Sequence, residues 1–572
     1  MRHDLEHLDP PFPGLGEEVE FRLETHAREG LFLYQRDGEV HAKPMSPFPG
    51  GLRVRVRVGE SPFRYLFRLP EGFFGSHGLE KTLPRYDRFF HLLAGPPLPP
   101  SWALGAVFYQ IFPDRFRQGR PGLAPKDGAW TLGGRPIRRK AWHEPPGPEG
   151  ALEFYGGDLF GVVEALPYLK ALGVEVLYLT PIFQSPSSHR YDTEDYLRVD
   201  PHLGGEEALR ALYEALEAGG MRLVLDGVFN HVGATHPWFR RALEEPESPE
   251  RGMFTFYPDG SYASFLGVKS MPKLDYASPL TQERFVYAPK APIRHWMRLA
   301  HGWRLDVAHS IGEGGTDREN PRWLRALALA AKEAREDALV FGELSYDTIP
   351  TLRAHTLDGA MHYAGFAHPV MAWLSGRDHE GRPVDLDAEG LWGVLFDHYA
   401  ALPLGLRQSM YTLLSSHDIP RALWRLKGDK DRLRLAYALL FAFPGSPAIY
   451  YGDEVGLSQP NPYGEWRGDP YCRAPFPWDE SLWDKGLLAF IQRLVALKKG
   501  LLPLRQGSLL PLKAPKGVLA FRRRHGKEEV WAFFAPEGAR LRLPRGEDLL
   551  TGEVLEGEVE RSFLLFRPAP VS

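Results

Sequence analysis

The sequence predicts an α/β protein built on a (β/α)8 TIM barrel, with an inserted subdomain after the third strand and flanking N-terminal and C-terminal β-sandwich domains. Two patterns in its 572 residues lead to this prediction. Both ends of the chain alternate apolar and polar residues, which is typical of antiparallel strands, whereas the middle alternates short apolar runs with helical stretches. The chain length also predicts more than one domain, because one hydrophobic core rarely organises more than about 250–300 residues.

The first β-sandwich domain is expected over residues 1–98. Between Glu18 and Leu69 the segments EVEFRLETHA, LRVRVRVGE and FRYLFRL alternate with a period of two, as strands with one buried face do. The segment GPPLPPSW at 95–102 is dense in proline and breaks the pattern. It is interpreted as a semi-rigid linker to the next domain.

The barrel is expected over residues 99–490, where apolar runs alternate with helices such as one from about Glu206 to Ala218, which Gly219 and Gly220 can cap. Eight strands separated by helices fit a (β/α)8 barrel, whose active site lies at the carboxyl ends of the strands. The eight runs are VFYQIF, VEVLYLTPIF, MRLVLDGVFNH, GWRLDVAH, ALVFGELS, GAMHYAGF, SMYTLLSSHD and SPAIYYGDEVG.

One connection is unusually long, from His231 to about Arg294, and it is interpreted as a subdomain at about 231–294 that covers the cleft. The segments GVLAFRRRHGKEEVWAFFAP and RSFLLFRPAP near the end of the chain return to strand-like alternation. They predict the second β-sandwich domain, over residues 491–572.

Composition excludes several classes of function. The net charge of -4 provides no basic field for nucleic acid or anionic lipid, and the single cysteine, Cys472, excludes thiolate metal clusters and disulfides. The apolar stretch from Leu439 to Tyr451 is interrupted by proline and glycine and is too short to cross a membrane. The first residues, MRHDLEHLDPPFPG, lack the basic start and apolar run of a secretory signal. We therefore expect a cytoplasmic protein without nucleic-acid or membrane partners.

Polar residues with the chemistry of glycoside hydrolysis fall at or near the ends of the predicted strands. Retaining glycosidases use one carboxylate as nucleophile and a second, about 5–5.5 Å away, as proton donor. A single Asp after a strand is more often a helix cap or loop ligand, but several that converge on one rim make a catalytic cluster the better interpretation. The residues are Asp226, Arg304, Asp306, Glu343, His417 and Asp418.

The motifs around these residues resemble the conserved regions of the α-amylase family. DGVFNH (226–231), GWRLDVAHS (302–310), FGELS (341–345) and LLSSHD (413–418) match four regions in order, and MPKLDY (271–276) matches a fifth. FYQIFPDRF, YGGDL, HRYDTEDY, YYGDEVG and DPYCRAPFPW resemble the branch of neopullulanases, cyclomaltodextrinases and maltodextrin glucosidases. The resemblance covers about Leu104 to Trp478.

This resemblance implies that Asp306 is the nucleophile, that Glu343 is the general acid/base and that Asp418 is the third catalytic carboxylate, which binds sugar hydroxyls and raises the pKa of Glu343. Arg304, two residues before the nucleophile on one strand, faces the same side and is expected to keep Asp306 ionised and oriented.

The same resemblance implies the residues that bind substrate. His231 and His417 donate hydrogen bonds to the sugar that is cleaved, and Tyr191 stacks on it. Asp469 and Arg473 either grip the end of the substrate or form an internal salt bridge. Asp226 is expected to be structural rather than to contact sugar.

The sequence departs from the family at a calcium site. Many members bind calcium in a loop after the first strand, but this chain has RFRQGRPGLAPKDG there, with three arginines and with only Asp127 and the later Asp158 as carboxylates. We expect no calcium at that position, and the mechanism requires no cofactor because carboxylates carry both of its steps.

Two departures bear on specificity. Neopullulanases and cyclomaltodextrinases usually have VANE after the nucleophile and Trp two residues after the acid/base, where this chain has VAHS, with His309, and Ser345. The first choice is therefore hydrolysis of α-1,4 bonds in short maltodextrins, and cyclomaltodextrinase, neopullulanase or maltogenic amylase activity, with transglycosylation, is the alternative. A remote alternative is a carbohydrate-binding protein without catalytic activity.

In relatives the N-terminal domain packs against the cleft of a partner subunit. The resemblance therefore allows a homodimer that forms through this domain.

Overall fold

The computed structural model describes residues 1–460 and 466–570, so positions 461–465 and 571–572 of the expected barrel and second sandwich domain lie outside the described residues. At the N-terminal end two sheets pack face to face around Phe21, Phe32, Tyr65 and Phe67, because the alternating segments turn one apolar face inward. The first sheet has the strand order Leu8–Asp9, Glu18–Glu24, Gly51–Arg57 and Ser46–Phe48. The second contains Glu39–Pro44, Leu31–Arg36, Phe63–Leu69, Gly72–Gly75, Gly78–Glu80 and Phe90–Leu92.

The central sheet is a nearly closed barrel of seven strands. In chain order they are β1 Phe108–Ile111, β2 Val176–Leu179, β3 Arg222–Gly227, β4 Gly302–Leu305, β5 Leu339–Gly342, β6 Tyr411–Thr412 and β7 Ser446–Tyr450. The barrel closes between β5 and β6 through two parallel bridges, Gly342 with Ala360 and Met361 with Tyr411. The fold class predicted from the sequence is confirmed.

One of the eight predicted strands is wrong for most of its length. In GAMHYAGF only the two bridged residues are extended, and Tyr363–Ala367 forms a turn of π-helix that leads into the helix His368–Ser375. A short apolar run fits a buried strand and a buried helix equally well, because periodicity alone does not separate them.

Helices surround the barrel and connect its strands. The helix expected from Glu206 spans Gly205–Ala218, with its leucines buried and with Gly220 at φ +68° after its end, as the cap prediction requires. The other long helices include Leu159–Glu164, Leu166–Leu172, Asn320–Ala334, Ala388–Ala401, Lys430–Ala442 and Lys485–Gly500.

The long connection after β3 folds back on the rim of the barrel. It contains the helices Pro237–Glu244, Pro279–Gln282 and Pro292–His295, and His231 bridges to Lys273 within it. The buried Lys273 ammonium donates to Asn230 Oδ1 at 3.1 Å and to the Ser310 carbonyl at 2.5 Å. These bonds fix the connection beside the carboxyl ends of β3 and β4.

The last four-stranded sheet has the order Ser508–Pro511, Leu519–His525, Glu528–Asp548 and Val554–Pro568. Its third strand bends, so that Gly546 pairs with both Leu555 and Pro568. The bend encloses a small core of its own that includes Leu541, Leu543 and Leu564.

Residues 2–6 join the barrel to both groups of outer sheets. Arg2 pairs with Glu24 of the first sheet at 2.6 Å. The buried Asp4 accepts from the Tyr399 hydroxyl at 2.6 Å and lies 3.3 Å from Arg407, both on the barrel side. Glu6 accepts from the Gly526 amide of the last sheet at 2.9 Å. In the described part of the chain, no helix is both long and apolar enough to cross a membrane.

Candidate active site

The carboxyl ends of the barrel strands bring the motif residues to one rim. Asp226 on β3 pairs in register with Arg304 on β4, Asp306 follows β4, and Glu343 follows β5. Asp418 lies in the loop after β6. Parallel strands have their carboxyl ends at the same edge, so residues distant in sequence meet there.

Arg304 is the centre of this cluster. Its Nη1 lies 3.0 Å from Oδ1 of Asp226 and 2.9 Å from Oδ1 of Asp306, and its Nη2 lies 3.0 Å from Oε2 of Glu343. The guanidinium has no exposed surface. One buried cation therefore contacts three carboxylates, and the cluster is neutral only if it also holds protons.

The pKa shifts of the carboxyls agree with this need for protons. Burial raises the pKa of Asp306 well above its usual value, the nearby Glu343 carboxylate raises it further, and Arg304 opposes both. Burial also raises the pKa of Asp226, to about 6. Carboxyls that interact this closely keep a shared proton to a higher pH than an isolated one. Arg304 contacts Asp306 and lowers the pKa of that carboxyl, which is the direction that the predicted role of Arg304 requires, but burial has the larger effect.

The backbone after Asp306 is strained. Val307 has φ +44° and ψ +44°, a left-handed conformation that is unfavourable for a β-branched residue. In this conformation the Val307 amide donates to Oε2 of Glu343 at 2.8 Å. The strained turn thus fixes the second carboxylate beside the first.

Tyr191 and His417 form a stacked layer over the cluster. Their rings are 5.5 Å apart and 7° from parallel. Burial keeps the pKa of His417 well below its usual value, so the imidazole is neutral. The Gln110 amide nitrogen lies 2.7 Å from Nδ1 of His417, so this ring nitrogen accepts. Nε2 of His417 lies 2.6 Å from the Tyr191 hydroxyl. That hydroxyl donates to Asp226 at 2.8 Å.

His231 closes the same side of the site. Its Nε2 lies 3.0 Å from the Tyr191 carbonyl and its Nδ1 lies 3.2 Å from the Asn230 amide nitrogen, so the ring donates to the carbonyl and accepts from the amide. Burial lowers the pKa of His231 to about 4. Phe265 of the long connection stacks on the ring at 5.4 Å.

Arg473 links the other members of the site. Its Nη1 lies 2.8 Å from Asp469 and its Nη2 lies 3.3 Å from Asp418, so the internal salt bridge considered for this pair is present. Its Nε donates to the His417 carbonyl at 2.8 Å. We call Tyr191, His231, His417 and Arg473 the bonded wall, because each is buried and held by hydrogen bonds.

The opposite side of Glu343 is different. His309 is partly exposed, and its Nδ1 lies 3.5 Å from the Glu343 carbonyl, at the limit of a hydrogen bond. Ser345 is exposed, and the Tyr346 side chain is 71% exposed with its ring 5.3 Å from that of His309. We call His309, Ser345 and Tyr346 the open wall.

The carboxylates of Asp127 and Asp158, which follow β1, accept hydrogen bonds from backbone amides of the protein. Oδ1 of Asp127 accepts from the Arg139 amide at 3.0 Å, and Oδ2 of Asp158 accepts from the Gly119 and Arg120 amides at 3.1 and 2.8 Å. Throughout residues 1–460 and 466–570, no group of three or more His, Cys, Asp or Glu side chains is arranged to hold a metal ion.

Sequence reasoning did not identify Gln110, Tyr178 or Tyr346. Tyr178 donates to Oδ2 of Asp226 at 2.6 Å. Gln110 and Tyr178 are the polar members of otherwise apolar strands, and that pattern was the available signal, because a polar group inside a barrel needs a partner. Tyr346 gave no signal, since its exposure depends on the loop conformation.

Comparison with known proteins identifies relatives of the whole chain. A family profile described as "Alpha amylase, catalytic domain" matches residues 110–264 and 256–487. A cyclomaltodextrinase of Geobacillus thermopakistaniensis is 34% identical over 482 residues, which are 81% of this chain and 75% of that protein.

Solved structures agree with the sequence matches. The type III pullulan hydrolase from Thermococcus kodakarensis is similar with a TM-score of 0.74 at 26% identity, over 99% of each chain. The cyclic α-maltosyl-(1→6)-maltose hydrolase from Arthrobacter globiformis is similar with a TM-score of 0.69 at 31% identity, over 82% of this chain and 100% of that one. The first similarity extends through the N-terminal sheets, the barrel and the last sheet.

Proposed function

Because the chain belongs to the α-amylase family of glycoside hydrolases, we propose that it hydrolyses α-1,4-glucosidic bonds of short maltodextrins with retention of anomeric configuration. The observation that carries this proposal is the contact of one buried guanidinium, that of Arg304, with both Asp306 and Glu343. This guanidinium holds the proposed nucleophile and the proposed proton donor side by side, as a double-displacement mechanism requires.

In the first step a carboxylate oxygen of Asp306 attacks the anomeric carbon, the glycosidic bond breaks, and Glu343 gives its proton to the leaving oxygen. In the second step Glu343 takes a proton from water, the water oxygen bonds to the anomeric carbon, and the bond to Asp306 breaks. The first step starts with Asp306 ionised and Glu343 protonated, so the mechanism requires that a proton of the cluster lies on Glu343 when substrate is bound.

The bonded wall is proposed to bind the sugar that is cleaved. Tyr191 offers a buried ring as the stacking surface, and the neutral His417 has an Nε2–H next to Asp418, at 3.1 Å. Arg473 and Asp469 lie further along the same side and are proposed to contact the next sugar of the chain. Asp226, with bonds from Arg304, Tyr178 and Tyr191, is proposed to act through those residues rather than on substrate.

The choice of substrate within the family depends on the open wall. Ser345 leaves space where neopullulanases and cyclomaltodextrinases usually have Trp, which favours a maltodextrin glucosidase. A specific observation favours the alternative, which is cyclomaltodextrinase or neopullulanase activity. Several relatives that are about one third identical to this chain have those names.

We further propose a cytoplasmic location and a homodimer formed through the N-terminal domain, which exposes Leu79, Leu83 and Tyr86.

One experiment tests the proposal. Purified protein is incubated with maltotriose, pullulan or β-cyclodextrin, the products are identified, and the first anomer released is followed by NMR. Glucose released from maltotriose as the α-anomer, with slower attack on the polymers, is the expected result. Panose from pullulan, or preferred opening of the cyclodextrin, would select the alternative. A β-anomer would exclude the retaining mechanism, and sedimentation velocity reports the dimer.

A further inference from the structure

A second cleft, which shares no residue with the catalytic cluster, is lined by four aromatic rings together with polar side chains. It encloses about 620 Å³ between the segment after β1, the helix Leu166–Leu172 and the segment after β7. Residues Arg117, Gln118, Trp142, Tyr168, Trp478 and Trp483 line it, and Glu164 and Glu480 lie at its edge. None of them contributes to the proposed mechanism.

The polar atoms of the aromatic residues are already bonded within the protein. The indole N–H of Trp142 donates to the Phe476 carbonyl at 2.8 Å, and that of Trp478 donates to the Phe116 carbonyl at 2.5 Å. The indole N–H of Trp483 donates to the Pro477 carbonyl. These bonds fix the ring planes, so the partly exposed rings present apolar faces that need no rearrangement to receive a ligand.

Polar side chains lie beside the rings. Among the described residues, Nε2 of Gln118 is buried and has no partner, although a buried amide donor is normally satisfied. The exposed carboxylates of Glu164 and Glu480 also line the cleft. Arg117 lies over Trp478 at 4.6 Å and 3.3 Å from Glu164, so its charge is largely compensated.

This combination selects a class of ligand. Two carboxylates against one arginine do not favour an anion, and the polar edge does not favour a purely apolar ligand. A sugar has apolar C–H faces that pack on aromatic rings and hydroxyls that bond to amides and carboxylates. We propose that this aromatic cleft is a second, non-catalytic binding site for an α-glucan chain.

The cleft lies close to the bonded wall along the chain. Trp478 follows Arg473 by five residues, which span at most about 18 Å when fully extended. Arg115 fixes this segment, because its guanidinium donates to the Arg473 carbonyl and its carbonyl accepts from the Phe476 amide, at 2.7 and 2.8 Å. A long glucan held in the aromatic cleft therefore raises the local concentration of its own chain at the catalytic cluster. The glucan as ligand rests on the proposed function.

The test uses the Glu343→Gln variant as a non-hydrolysing background and measures maltoheptaose binding by titration calorimetry. The expected result is two binding sites in this background and one after the further change Trp142→Ala or Gln118→Leu. Gln118→Leu keeps the side-chain volume, so it remains informative if Trp142→Ala does not fold. Trp102→Ala is the matched control, because Trp102 is also partly exposed and bonded to a carbonyl, that of Asp337, on the far side of the barrel.

The same changes in the otherwise wild-type protein separate this proposal from the proposed function. We expect kcat/KM on amylose to fall by roughly threefold to tenfold, as loss of a second attachment point predicts, and kcat/KM on maltotriose to stay within about twofold. One site in the Glu343→Gln background, or two sites that survive both changes, would overturn the second site. Failure of the wild type to hydrolyse maltotriose would instead overturn the proposed function.

Discussion

The bonded wall and the open wall belong to the same rim of the barrel, yet they are built in opposite ways. Each member of the bonded wall is buried and has hydrogen-bond partners in other strands or loops, such as Gln110 for His417. On the open wall, Tyr346 is mostly exposed and its described contact is the ring of His309. The first wall is positioned before any ligand arrives, whereas the second can adjust to the ligand.

This difference predicts which residues affect the catalytic rate and which affect the choice of substrate. Groups that stabilise charge in a transition state are effective when they are fixed beforehand, because no energy is then spent on orienting them. Groups that only select among ligands tolerate mobility. We therefore expect substitutions in the cluster and the bonded wall to change catalytic rate, and substitutions in the open wall to change substrate choice.

The strongest test is removal of the nucleophile. Asp306→Asn is expected to lower kcat/KM on maltotriose by at least about 10⁴-fold, as loss of a catalytic nucleophile does. Because the pKa of Asp306 is raised by folding, the folded state binds more protons than the unfolded state above the ordinary carboxyl pKa, and stability falls as pH rises through that range. The variant should therefore melt at a higher temperature than wild type at pH 7. Asp385→Asn, an exposed control, should change neither quantity.

The next effect is on pH dependence. Below the raised pKa of Asp306 the carboxyl is protonated and cannot attack, so kcat/KM should fall about tenfold for each pH unit on the acid side. The midpoint should lie above the ordinary aspartate value of about 3.9. Measurement of kcat/KM on maltotriose from pH 4 to 8 checks this. Tyr346→Ala should leave the midpoint unchanged, and a shift would contradict the separation of the two walls.

A smaller effect is expected within the bonded wall. Gln110→Leu removes the donor to Nδ1 of His417 and frees the ring to take its other tautomer. Loss of one buried hydrogen bond of about 1–1.5 kcal/mol corresponds to a roughly tenfold lower kcat/KM. The expected change is in kcat rather than KM, which steady-state kinetics on maltotriose distinguishes. An unchanged kcat would mean that His417 needs no support from β1.

The smallest effect is expected on the open wall. Tyr346→Ala removes an exposed ring that can pack on the leaving or accepting sugar, at a cost of about 0.5–1.5 kcal/mol, or a few-fold in KM for maltotriose. The ratio of hydrolysis to transglycosylation should change, while kcat for an activated aryl maltoside should not. Tyr287→Ala is a suitable control, because that tyrosine is also exposed, at 55%. An equal effect of both changes would remove Tyr346 from the site.

The sequence was sufficient where function depends on strand ends. Asp306 and Glu343 follow apolar strands directly, and the geometry of a parallel barrel brings such positions together whatever the loops do. It was insufficient for Gln110 and Tyr178, which lie inside strands, because their partners come from other strands and are known only from the fold. The sixth predicted strand failed because a short apolar run fits a buried helix as well as a buried strand, and the chain enters a π-helical turn at Tyr363.

The pKa of Asp306 was also beyond what the sequence predicts. The pairing of Arg304 with Asp306 follows from their spacing on one strand, but the pKa of Asp306 depends on how much water the finished site excludes. Burial is a property of the assembled barrel, so its effect on pKa cannot be obtained from spacing. The same holds for His231, whose ring bonds are completed by the Tyr191 carbonyl and by Asn230.

The contacts of residues 2–6 limit how this architecture can be recombined. If the N-terminal sheets were cut away together with residues 2–6, Arg407 would lose the carboxylate of Asp4, its ion-pair partner. The last sheet would lose the Glu6 acceptor for the Gly526 amide. Exchange of these sheets between homologues, or transplantation of the barrel alone, must therefore carry both sides of the junction. A replacement for the N-terminal sheets needs a carboxylate that reaches Arg407 and an acceptor that reaches the Gly526 amide.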